Sequence, residues 1–78
     1  MGNTMKKNTI NSLIPMLSMA NDWFGNKMDI NESFTNCNFV ANHVRNYRIT
    51  KSKFIKICDE NGFENLKKWA DAIISMAR

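Results

Sequence analysis

The chain is poor in the residues that break, bridge or activate a polypeptide. Its 78 residues hold one proline, three glycines, one histidine and two cysteines. Cys37 and Cys58 are the only thiols and His43 the only imidazole, with no CxxC or HxxxH pair. A zinc site therefore lacks ligands, and a disulfide framework is excluded. Two free, half-buried thiols in a reducing compartment are expected, with no metal and no cofactor. The three glycines stand apart from one another, so there is no glycine-rich loop to cradle phosphate. Long apolar runs are also missing. The longest, Leu13 to Leu17, falls far short of the ~20 residues a membrane-spanning helix needs. Asn8, Asn11, Ser12 and Ser18 interrupt what would have to be the apolar part of a leader after Lys6 and Lys7. The composition leads us to expect a cytoplasmic protein without membrane contact.

Material for catalysis is scarce as well. His43 is the one side chain that titrates near neutrality, and no carboxylate lies within a helical turn to orient it. Asp59 and Glu60 are adjacent, so on a helix they diverge by about 100° and cannot face one substrate as an acid–base pair. We expect no enzymatic activity and no catalytic residue.

What the chain does contain is helical periodicity. From Leu66 the apolar residues Trp69, Ala70, Ile73, Ile74 and Ala77 recur three and four apart, predicting one amphipathic helix after Gly62. Ile10, Leu13, Ile14, Leu17, Ala20 and Phe24 form a second stripe that stops at Gly25. Pro15 falls inside it, and Ser12 as N-cap would place that proline in the first turn. Phe34, Cys37, Val40, Ala41, Val44 and Tyr47 form a third stripe, opened by a capping box from Asp29 to Glu32. Thr50 is suited to cap a short helix over residues 51–61 that buries Phe54, Ile57 and Cys58. Gly62 then fits a left-handed C-cap, with Phe63 folding back on that helix. No strand alternation appears. The expected fold is all-α, a small compact bundle of three to four short helices over residues 9–78, preceded by a flexible basic tail over residues 1–8. A chain this short buries only about 60% of its unfolded surface, so a partner surface would help it.

Charge is distributed unevenly. The net charge is +4, and between Glu32 and Asp59 there is no acidic residue at all. Within that gap Arg45, Arg48, Lys51, Lys53 and Lys56 are crowded at one helix junction. Such cations give phosphate affinity by counterion release, and Asn42 and Asn46 beside Arg45 are of the types that read base edges. A helix-turn-helix at Gly62 fails on register, because Leu66, Trp69 and Ile73 would occupy the groove-facing positions. An αα-hairpin fits better. Met16, Met19 and Trp23 widen the first stripe into a candidate apolar partner patch. Twelve asparagines alongside many lysines suggest AT-rich coding, a habit of phages and plasmids.

These features point to a non-enzymatic, phage-like accessory protein, a regulator or inhibitor acting on a nucleic-acid-handling complex through a basic helical face. Direct nucleic-acid binding and a structural or oligomerising role are the alternatives. The expected partners are a host or self protein complex, nucleic acid at the basic patch, and a second copy in a homodimer.

Overall fold

A computed structural model describes the backbone of residues 2–78 and the side chains from Ile10 onward. The fold is all-α, with helices α1 (Gly2–Gly25), α2 (Ile30–Asn46), α3 (Lys51–Asn61), α4 (Glu64–Lys68) and α5 (Ala70–Ala77), and no strand among the described residues. Helix α1 packs chiefly on α4 and α2 chiefly on α5, while α3 touches both α4 and α5. Phe54, Leu17, Leu66, Ile73, Val40 and Cys58 are the largest fully buried side chains, so every helix contributes to one shared core.

Helix α1 departs from the expected start. Ser12 is not an N-cap but an interior residue, because the helical backbone begins at Gly2 and runs through Pro15. Proline costs a helix one donor and crowds the preceding carbonyl. Here Asn11 and Pro15 are both exposed, so the carbonyl left without a donor opens towards water. The basic tail expected over residues 1–8 lies on side chains outside the described residues.

The local signals around α2 and α3 act as their residue types predict. The Glu32 N–H donates to Asp29 Oδ1 at 2.8 Å, and the Asp29 N–H donates to Glu32 Oε1 at 3.0 Å, completing the capping box. Thr50 Oγ1 accepts from the Lys53 N–H at 3.2 Å. Gly62 sits at φ 70°, and Phe63 beyond it is buried against α3. Helix α2 ends in a Schellman turn: the Ile49 N–H donates to the Val44 carbonyl and the Arg48 N–H to the Arg45 carbonyl. The left-handed position of that turn, normally glycine's, is held by Arg48 at φ 54°.

The C-terminal stripe is not one helix. Trp69 breaks it at φ −98°, ψ 7°, with its N–H bonded to the Leu66 carbonyl three residues back instead of four. The break has a packing cause. The five residues of α4 follow α1, whereas α5 must turn to follow α2, and a straight rod could not lie along both. Trp69 itself is half-buried, not fully enclosed, and stacks on Phe24 with ring centroids 5.3 Å apart. The bundle of three to four helices thus resolves into five segments, because its last stripe bends.

Neither short helix closes its own ends. No side chain of α4 caps its N-terminus; instead Asn21 of α1 receives the Leu66 N–H on Oδ1 at 2.9 Å. Asn65 Nδ2 donates in turn to the Asn21 carbonyl at 3.4 Å. Gly25 leaves room for this exchange, since a Cβ there would come within 2.5 Å of Asn65 Nδ2.

Candidate interaction surface

The cations predicted to act together have been divided by the fold. Arg45 spends its guanidinium on the end of α5: Nε donates to the Ala77 carbonyl at 3.0 Å and Nη2 to the Met76 carbonyl at 2.9 Å. Its Nη1 donates to Asn42 Oδ1 at 3.1 Å. A positive planar group on the open carbonyls of a helix C-terminus is favourable by charge and by geometry. Lys51 pairs with Asp71 of α5 at 2.5 Å, a solvent-exposed contact of small energetic weight. Arg48, Lys53 and Lys56 are exposed and, among the described residues, have neither a carboxylate nor a carbonyl partner.

These unpaired cations stand where local stability would prefer other residues. Arg48 occupies a left-handed backbone position. Lys53 lies in the first turn of α3, beside the positive end of the helix dipole, and no acidic residue is present in that turn. Cations therefore predominate at the α2–α3 corner, where Asp71 of α5 pairs with Lys51. Asn46 is exposed two residues before Arg48, and Asn42 is exposed while its oxygen serves Arg45.

The apolar patch is larger than Met16, Met19 and Trp23, and differently composed. Met19 is 51% exposed, while Met16 and Trp23 are half-buried against the core. Helix α2 extends the patch: Phe39 meets Trp23 edge-on with centroids 5.5 Å apart, and the His43 ring lies 4.9 Å from that of Phe39. His43 Nδ1 is 3.0 Å from the Phe39 carbonyl, to which an Nδ1–H donates, so backbone and neighbouring rings hold the imidazole in place. Phe39 keeps 40% of its surface exposed between them. Further along α2, Ile30 and Phe34 are 83% and 65% exposed. The expectation that Phe34 joins the buried face is therefore corrected: α2's apolar stripe continues past the helices that cover it.

The reactive groups lie elsewhere and are subdued. Both cysteines are free and buried. Burial raises the Cys37 thiol above its ordinary value. Burial, reinforced by the neighbouring Asp59 carboxylate and opposed by Lys67, pushes Cys58 up to about 11. A hydrogen bond from Lys67 to Asp59 at 2.7 Å raises the lysine. These groups border a shallow hollow of about 350 Å³ between the end of α3 and α4. Among the described residues no three His, Cys, Asp or Glu side chains gather as a metal would require.

Comparison of the chain with protein-family models, with curated protein sequences and with solved structures gives no match in any of the three. Among the described residues no helix is long and apolar enough to cross a membrane. The sequence pattern identified Arg48, Lys53 and Lys56 as surface cations but could not foresee the capping duty of Arg45. Phe39 was hidden from it by falling off the α2 stripe; the signal was its spacing of four from His43.

Proposed function

We propose that this chain is a non-enzymatic binding protein that regulates or inhibits a nucleic-acid-handling complex through the α2–α3 corner. The observation that carries the reading is the set of unpaired cations Arg48, Lys53 and Lys56, two of them at positions that work against the local backbone or helix dipole. Backbone strain retained at an exposed charged residue favours a role for that charge over a role in the fold. A positive field of this kind steers association with phosphate or with an acidic protein surface.

The reading is tested by reversing Arg48 and Lys53 together to glutamate and following recovery of identified nucleic-acid-handling proteins from host extract, with and without nuclease. Loss of that recovery with unchanged helix content supports it, and recovery equal to wild type refutes it. An oligomerising role is the second reading, favoured by the exposure of Ile30 and Phe34 on one face of α2. Sedimentation of Phe34→Asn beside wild type at the same concentration separates the two, because only an oligomer would dissociate.

A further inference from the structure

Resting on the cationic corner proposed above, we infer that the outer face of α2 takes single-stranded nucleic acid, with Phe39 as its stacking platform and Arg48 as its phosphate contact. Recognition of a single strand needs an aromatic ring with a free face, polar groups that reach base edges, and positive charge along the backbone track. Phe39, Asn42 and Asn46 share one side of α2, and Arg48 follows in the turn that ends it. Phe39 contacts both Trp23 and His43, with ring centroids 5.5 and 4.9 Å away, so its orientation is set before any base arrives. It remains 40% exposed nevertheless. Asn42 follows it by three residues and Asn46 by seven, which puts both exposed amides on the same helical side as the ring. From Phe39 to Asn46 the helix rises about 10 Å.

The charge on this side fits a polyanion. Helix α2 carries no carboxylate after Glu32, which lies on the same side seven residues before Phe39, about 10 Å back along the helix, and in the adjoining part of α1 Asp22 points about 100° round from Trp23. Arg48 stands immediately beyond Asn46, unpaired and exposed. A duplex offers no unstacked base to Phe39. Its bases are covered on both faces by their stacked neighbours, so the ring has nothing to stack on. An acidic protein would use the cations but has no need of a pre-oriented aromatic ring beside paired amides. The single strand alone accounts for both halves of the surface.

Fluorescence anisotropy of labelled twelve-nucleotide dA and dT strands, and of the same length in duplex, tests the inference with the full chain. Wild type is expected to bind the single strands more tightly than the duplex. With Arg48, Lys53 and Lys56 engaged, the log–log salt slope should be about −2. Phe39→Ala should weaken single-strand binding by about 5- to 100-fold and leave the duplex unaffected. Phe39→Trp, which keeps a ring in place, should restore it. The Arg48→Glu, Lys53→Glu double variant should abolish binding of both. If Phe39→Ala binds single strands as wild type does while the double reversal still releases them, the stacking platform is overturned and the cationic corner stands. If folded wild type binds neither form, the inference falls, and an acidic protein partner that the double reversal still detaches would leave the broader reading intact.

Discussion

Arg48 is the residue whose presence the fold least explains. Its place in the Schellman turn calls for glycine, and a side chain there brings Cβ against the neighbouring carbonyl. Arg48→Gly should therefore stabilise the protein by about 1 kcal/mol in urea unfolding while weakening whatever the corner binds. Gly62, at the end of α3, shows the unstrained solution. The cysteines make a second residue-scale case. Cys58 moves from an ordinary value of 9.0 to about 11, so the folded state favours the neutral thiol. That contribution is complete below pH 9 and is lost as the pH rises from about 9 to about 11, where the unfolded thiol ionises first. Denaturation midpoints should fall across that window for wild type and fall less for Cys58→Ala. A thiol reagent at pH 8 should label neither cysteine until the chain is unfolded.

At the scale of elements, the helices divide into those that terminate themselves and those terminated by others. Asp29 with Glu32, Thr50, and Gly62 act within four residues of the ends they close, which is why they were legible in the sequence. The ends of α4 and α5 were not. Asn21 lies 45 residues from the amide it caps and Arg45 lies 32 from the carbonyl its Nε serves, and no local pattern encodes such pairings. For the same reason the bend at Trp69 could not be read from a stripe whose spacing is perfectly regular; it follows from which neighbours α4 and α5 must each reach. Asn21→Ala should cost about 1 kcal/mol, as loss of a helix cap does. Arg45→Ala should cost about 1–2 kcal/mol in thermal unfolding, and Arg45→Lys should recover only part of that, because an ammonium cannot bridge two carbonyls as the guanidinium does. If Arg45→Lys matched wild type, charge alone would be closing α5.

For the molecule as a whole, apolarity is split between a closed core and an open face. Phe54 has no exposed surface and Phe34 has most of its own. Phe54→Ala should cost about 3–5 kcal/mol, a large share of what so small a domain has, whereas Phe34→Ala should stay within about 0.5 kcal/mol. Equal losses would mean that Phe34 is covered in solution. The helical class and most core positions were visible in the three-and-four spacing, since periodicity reports which side of a helix is apolar. It does not report how far along the helix a partner extends, and for that reason Phe34 was placed inside and Trp69 too deep.

The borrowed caps bear on how the chain opens. Leu66 gives its amide hydrogen to Asn21, so that hydrogen cannot meet solvent by fraying of α4 alone; α1 must also swing away. Likewise α5 cannot unwind from its end without releasing Arg45 from α2. Helices of five and eight residues would ordinarily flicker independently, yet these two are latched to the two longest elements of the chain. In hydrogen–deuterium exchange, the Leu66 amide should exchange at the rate of global unfolding, and Asn21→Ala should detach it into a faster, separate unit.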